Sequence, residues 1–169
     1  NAIKNGDINS PFTKSVFIRH LILTSKTIWG EKIMEYLSLP AITTLDAYRE
    51  ASFSTMRALA GLFSLRAGNL KEAQEMACKS CLFATLSLEY LIGEFPIGFG
   101  NIVKLSKKIK IGPKEKKLVN IAYKMRQGKK YFSEDKMYDF IFEIMTYSAQ
   151  IAEVRIKEKL EKGNKILVK

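Results

Sequence analysis

The residues best suited to binding a charged ligand are the basic residues between Lys104 and Lys130. This stretch holds eleven lysines and arginines and one acid, Glu115, a net charge of +10, and the whole chain carries +11. Such a cluster attracts nucleotide phosphates, nucleic acid or an acidic partner, and a solvated lysine-rich surface has the same composition. The phosphate-binding or nucleic-acid-binding candidates in it are Lys107, Lys108, Lys110, Lys116, Lys117, Arg126, Lys129 and Lys130.

Two arginines are candidates for a ligand clamp. Arg49 and Arg57 lie about two turns apart on a predicted apolar helix. An arginine in this setting either pairs with a buried acid, such as Glu89, or reaches towards a ligand through its planar guanidinium group. The sequence leaves both interpretations open.

The chain offers little for metal binding or nucleophilic catalysis. Cys78 and Cys81 have Cys-x-x-Cys spacing, but the chain has no second cysteine pair and its one histidine, His20, is distant in sequence. We therefore interpret both cysteines as small buried core residues of a protein from a reducing compartment, the cytoplasm.

Two pairs of acids stand at helical spacing, Asp46 with Glu50 and Glu72 with Glu75. A catalytic carboxylate pair needs surrounding side chains that tune its pKa values, and the pattern alone is typical of a solvated helix surface. The chain has no Gly-rich phosphate loop and no Ser-His-Asp set. The sequence therefore predicts no catalytic residue, no metal site and no cofactor of its own.

The elements that must position these side chains are predicted to be helices. Residues 45–67 and 70–92 form a helical hairpin, in which Gly68 ends the first arm and Asn69 caps the second. The first arm has an apolar face with three- and four-residue spacing, formed by Phe53, Met56, Ala60, Phe63 and Ala67. Two arms of this length are each roughly 35 Å long, so other helices are expected to dock on them.

Shorter elements flank this hairpin. Helices are predicted at residues 11–23, 31–39, 101–110, 114–127 and 134–162, and a short strand at 27–29. The fold class is therefore all-α: an antiparallel up-and-down bundle of four to five core helices with a short N-terminal helical and extended appendage. The predicted boundaries are an appendage at 1–43, a helical bundle domain at 44–162 and a tail at 163–169. No apolar run approaches the roughly 20 residues of a membrane span.

Two stretches resemble parts of a known superfamily. Residues 25–33, Ser-Lys-Thr-Ile-Trp-Gly-Glu-Lys-Ile, resemble the closing segment of nucleotidyltransferase domains of the DNA-polymerase-β-like superfamily. The hairpin with Leu-Ser-Leu-Glu-Tyr-Leu-Ile-Gly-Glu-Phe-Pro at 86–96 is similar to the all-helical C-terminal domain of such enzymes, which is related to kanamycin-nucleotidyltransferase C-terminal and HEPN-type bundles. The resemblance covers residues 12–161 and implies that residues 1–43 are the remnant of a catalytic domain.

The chain departs from these families at their catalytic positions. It lacks the Gly-Ser turn and the Asp-x-Asp pair that holds magnesium, and Arg19 directly precedes His20, whereas HEPN ribonucleases place arginine four to six residues before histidine. The resemblance thus implies a non-catalytic accessory domain that binds substrate beside a nucleotidyltransferase domain or subunit, with magnesium and nucleotide bound only through that partner. The alternatives are a stand-alone bundle that binds RNA or DNA, and an interaction module that forms homodimers through the small-residue face of residues 70–91.

Overall fold

The computed structural model describes residues 14–26, 29–30 and 36–169. Its helices are α1 (Lys14–Thr24), α2 (Thr44–Arg66), α3 (Leu70–Tyr90), α4 (Phe99–Leu105), α5 (Pro113–Arg126), α6 (Glu134–Thr146) and α7 (Val154–Glu161). A π-helical stretch, Tyr147–Glu153, joins α6 to α7 and is called the π segment here. Strands β1 (Ile42–Thr43) and β2 (Ile166–Val168) form a two-stranded sheet. The predicted all-α class is confirmed.

The N-terminal predictions fall partly outside the described residues. The strand predicted at 27–29 lies mostly outside the described residues. The helix predicted at 31–39 lies outside them from 31 to 35, and its described part, residues 36–39, is not α-helical. The helix predicted at 101–110 is shorter than expected, since α4 ends at Leu105. The single long helix predicted at 134–162 is interrupted by the π segment.

Helices α2 and α3 form the predicted antiparallel hairpin. Their backbones approach closely, because a Cβ atom added at Gly61 would lie 3.2 Å from the carbonyl oxygen of Ala73. Further along the pair, the Ser80 hydroxyl donates to the Ser54 carbonyl at 2.6 Å. Between the two arms Gly68 adopts φ +78°, a conformation that glycine adopts without the strain of a side chain.

The apolar face that the sequence predicts on α2 is not the face that packs. Met56 and Phe63 are 58% and 60% exposed. The buried face consists mostly of small residues, Ala47, Ala51, Ser54, Ala58 and Gly61 with Leu62 and Leu65. Close approach of α3 requires these small residues, so the larger side chains of α2 are turned outward.

The small-residue face of α3 is used within the chain. Ala73, Ala77, Cys81 and Ala84 are each fully buried. Helix α3 packs mainly on α2 and also contacts α5, α6 and the π segment. This face is therefore not available for the homodimer contact proposed for it from the sequence.

The C-terminal tail docks on the start of α2. Strand β2 pairs with β1 in antiparallel order, with Ile42 opposite Val168. The Thr44 amide donates to the Lys165 carbonyl at 2.9 Å, and the Leu45 amide donates to the side-chain oxygen of Asn164 at 3.0 Å. The predicted boundaries at 43/44 and 162/163 thus separate segments that are hydrogen-bonded to each other.

Candidate functional site: an aromatic cavity beside a lysine groove

A cavity of about 340 Å³ lies where α1, α2, α3 and α4 meet. Its lining is mainly apolar and aromatic: Val16, Phe17, Phe83, Leu86, Phe95, Pro96, Phe99 and Ile102. Its polar lining groups are His20, Glu50, Arg57 and Tyr90. An apolar cavity of this size with a few converging polar groups is typical of a site for a small molecule.

The connector between α3 and α4 shapes this cavity. Gly93 and Gly98 have φ values of +80° and +82°, a region that side chains disfavour. These two turns fold the connector back over the end of α3, where the Phe95 ring stacks on Tyr90 with a centroid distance of 5.5 Å and an interplanar angle of 11°. At the start of α4, the Phe99 ring meets the edge of Phe83 at 5.9 Å.

An ion pair forms one wall of the cavity. Glu50 and Arg57 lie seven residues apart on α2, and the Arg57 guanidinium donates to Glu50 at 3.1 Å. The Glu50 side chain is only 5% exposed and that of Arg57 23%. Burial raises the pKa of Glu50 above its usual value, and the neighbouring Arg57 opposes this shift.

Two aromatic rings hold the Arg57 guanidinium in place. Its central carbon lies 4.5 Å from the ring centroid of Phe53 and 4.5 Å from that of Phe83. Contacts of this kind favour arginine over lysine, because the flat guanidinium stacks on a ring while it donates in its plane. The cavity therefore presents a fixed acceptor and a fixed set of donors side by side.

The Tyr90 hydroxyl adds a third polar group. Tyr90 is fully buried and lines the cavity, and within the described chain its hydroxyl has no hydrogen-bond partner. Burial, followed by the nearby acids, raises the pKa of Tyr90, so the group stays a neutral phenol. A buried hydroxyl without a partner costs stability, which makes Tyr90 a candidate to contact a ligand.

Helix α1 covers one side of the cavity and is fixed by Arg19. The Arg19 guanidinium donates to the carbonyl oxygens of Pro40 at 2.9 Å and Lys169 at 2.6 Å. It also lies 5.2 Å from the ring centroid of Phe95. Arg19 thereby joins α1 to the connector and to the residue that follows β2, and α1 contributes Val16 and Phe17 to the cavity wall.

A shallower groove of about 660 Å³ adjoins the cavity and is called the lysine groove here. It is lined by Phe95, Pro96, Ile97, Asn101, Lys104, Leu105, Lys107 and Lys108, so Phe95 and Pro96 belong to both depressions. Lys108 forms an ion pair with Glu94 at 2.9 Å. Lys104 and Lys107 form no ion pair with any residue that the structure describes.

The eight basic candidates from the sequence are distributed over several surfaces. Lys107 and Lys108 line the lysine groove. Arg126 lies elsewhere, 3.3 Å from Glu75 and 5.6 Å from the Phe99 ring centroid. The Lys130 ammonium lies 5.0 Å from the Phe132 ring centroid. Of the remaining candidates, Lys110, Lys117 and Lys129 are exposed and Lys116 is half-buried.

The two arginines predicted to form a clamp have different environments. Arg57 lines the cavity, whereas Arg49 is exposed and does not contribute to it. The prediction that an arginine pairs with Glu89 is wrong. Arg57 pairs instead with Glu50, another buried acid. Glu89 is fully buried, and neither of its carboxyl oxygens has a hydrogen-bond partner among the residues described.

The two cysteines are core residues, as predicted. Both are free and buried in α3. Burial raises the pKa of the Cys78 thiol to about 12 and also raises that of Cys81.

In the described ranges no three or more His, Cys, Asp or Glu side chains are placed to hold a metal ion. The helices described there include none that is long and apolar enough to cross a membrane.

The sequence pattern did not indicate the cavity itself. Its aromatic walls come from α1, α3, the connector and α4, and no local spacing joins these four elements. The one sequence signal for the cavity was the concentration of aromatic residues among the turn residues at 93–100, which we interpreted only as a connector.

No protein-family model, curated protein or solved structure matches the chain.

Proposed function

We propose that this chain is a non-catalytic helical domain that binds substrate for a nucleotidyltransferase in the cytoplasm. Catalytic residues, magnesium and the nucleotide to be transferred are supplied by a partner domain or subunit. The observation that carries the proposal is the aromatic-walled cavity with the Glu50–Arg57 pair and the unpartnered Tyr90 hydroxyl. The resemblance of residues 25–33 and 86–96 to nucleotidyltransferase segments supports the choice of enzyme class, and the two free cysteines support the compartment.

The chemistry of the cavity suits holding a ligand better than transforming it. The Glu50 carboxylate already accepts a hydrogen bond from Arg57, so it is engaged in a structural pair and is not free to take a proton from a substrate. Tyr90 remains a neutral donor, because its pKa is raised. Fixed donors and an acceptor among aromatic rings bind and orient a flat group, which is the role of a substrate-binding domain.

The test is nucleotidyl transfer by the chain together with its native partner. A tagged chain is expressed in its own cells, purified under mild conditions and incubated with Mg²⁺ and labelled nucleoside triphosphates. We expect transfer by the wild-type preparation and at least a tenfold loss with Leu86→Phe and with Val16→Phe, which fill the cavity from two different helices.

Met56→Phe is the matched control, since Met56 is 58% exposed on α2 and the same side chain is introduced there. It should transfer as the wild type does. Two results would contradict the proposal. One is that the wild-type preparation shows no transfer, and the other is that both cavity-filling variants, purified in the same yield as the wild type, transfer as well as it does.

A further inference from the structure

The aromatic cavity and the lysine groove share two wall residues, Phe95 and Pro96. We infer that the ligand is a phosphorylated aromatic compound, with its ring in the cavity and its phosphate on the lysine groove. This inference rests on the proposed substrate-binding function and adds the chemical class of the substrate.

The cavity is suited to a flat heterocycle. Phe83, Phe95 and Phe99 provide ring surfaces from three separate elements. At one wall lie the Arg57 guanidinium, the Glu50 carboxylate that accepts from it, and Tyr90, whose buried hydroxyl has no hydrogen-bond partner among the residues described. The charges of Glu50 and Arg57 offset each other, so the matching ring is uncharged and has donors and acceptors on its edge.

The lysine groove is suited to an anion. Lys104, Lys107 and Lys108 lie on one short segment, and of these Lys108 pairs with Glu94. Lys104 is exposed, as is Lys107, and their like charges raise the local potential. A phosphate placed there gains charge-assisted hydrogen bonds and reduces the repulsion between the lysines.

The shared wall makes the two sites parts of one site. Among the residues described, Phe95 and Pro96 line both the cavity and the groove, so the two depressions are adjacent at this wall and the lysines lie next to the cavity. A ring joined to a phosphate by a short linker satisfies both parts. Nucleoside monophosphates and pyridoxine 5′-phosphate are two sources of this chemistry.

The test is isothermal titration calorimetry on the full chain. The probes are the four common nucleoside monophosphates, pyridoxine 5′-phosphate, the matching unphosphorylated compounds and inorganic phosphate. We expect at least one phosphorylated compound to bind, its unphosphorylated counterpart to bind at least tenfold more weakly, and inorganic phosphate to give no measurable binding. Which of the two families binds identifies the source of the ring.

A pair of lysine variants separates the groove from the cavity. The double variant Lys104→Gln with Lys107→Gln should weaken binding of the phosphorylated compound about tenfold and leave its unphosphorylated counterpart unchanged. The control is Lys157→Gln with Lys159→Gln on α7, which removes the same charge from exposed positions outside the groove. It should change neither affinity.

The outcomes distinguish this inference from the proposed function. If the phosphorylated and unphosphorylated forms bind with equal affinity, the assignment of the phosphate to the lysine groove is overturned. If both affinities are also lost in Leu86→Phe, the cavity remains a binding site. If no phosphorylated compound binds, the inference is overturned, and the transfer assay with cavity-filling variants decides the proposed function independently. If both lysine pairs weaken binding equally, the attraction is nonspecific and the groove assignment is overturned.

Discussion

Glu89→Gln is expected to remove a large pH dependence of stability between pH 6 and pH 8. In the wild type this one group should lower the free energy of unfolding by about 1.4 kcal/mol per pH unit in that interval. The difference between wild type and variant should therefore change by about 3 kcal/mol over the two pH units. Urea denaturation followed by circular dichroism at each pH measures it.

The sign follows from the environment of Glu89. Its side chain is fully buried, and burial, with a smaller contribution from Glu94, raises its pKa to about 9. The unfolded chain loses this proton near an ordinary carboxyl pKa of about 4.3. Between these values the folded state holds a proton that the unfolded state does not, so stability is highest below the unfolded pKa and falls as the pH rises towards 9.

The comparison with Glu89→Gln isolates this group. Glu50 also has a raised pKa, but both proteins contain it, so its contribution cancels in the difference. Glutamine preserves the shape of the side chain without an ionisable proton. Parallel stability curves for the two proteins from pH 6 to pH 8 would show that Glu89 is ionised in the folded state and would refute the prediction.

Arg57→Ala is expected to lower the free energy of unfolding by about 3 kcal/mol at pH 7. The substitution leaves the Glu50 carboxylate, 5% exposed, without the guanidinium that donates to it at 3.1 Å. It also empties the space between Phe53 and Phe83 that the guanidinium occupies. We place the value at the lower end of the range for buried pairs, because Arg57 is 23% exposed.

Two variants test whether the loss comes from the ion pair. Adding Glu50→Gln to Arg57→Ala should recover part of the stability, because the uncompensated buried charge is then removed. Arg49→Ala, which removes an exposed arginine from the same helix, should change stability by no more than about 0.5 kcal/mol. Equal losses for Arg49→Ala and Arg57→Ala would contradict the assignment of Arg57 to a structural pair at the cavity.

Local signals predicted the hairpin well. Gly68 and Asn69 mark its turn, because a positive φ and a side-chain cap are properties of single residues and their neighbours. The burial of Cys78 and Cys81 followed from the absence of other metal ligands in the chain. Periodicity predicted an apolar face on α2, but it did not reveal that close approach of α3 selects small residues for the buried face.

The candidate site depends on contacts distant in sequence, and few of these were predicted. The Glu50–Arg57 pair lies on one helix, yet α3 contributes to its environment because the Phe83 ring makes the second aromatic contact with the guanidinium. Arg19 reaches the carbonyl of Lys169, 150 positions away, a contact that no local pattern encodes. The charge of the basic stretch was evident from the sequence, but not that Lys107 and Lys108 line a groove that shares Phe95 and Pro96 with the aromatic cavity.

The most direct test of the account is where a small aromatic heterocycle binds. Methyl-labelled protein is titrated with compounds such as adenine and indole, and methyl chemical shifts are followed by NMR. We predict shift changes concentrated at Val16, Leu86 and Ile102, which line the cavity, and none at the exposed Leu59 and Ile166. Changes confined to exposed methyl groups, or no saturable change at the three cavity residues, would show that the cavity is not the binding site.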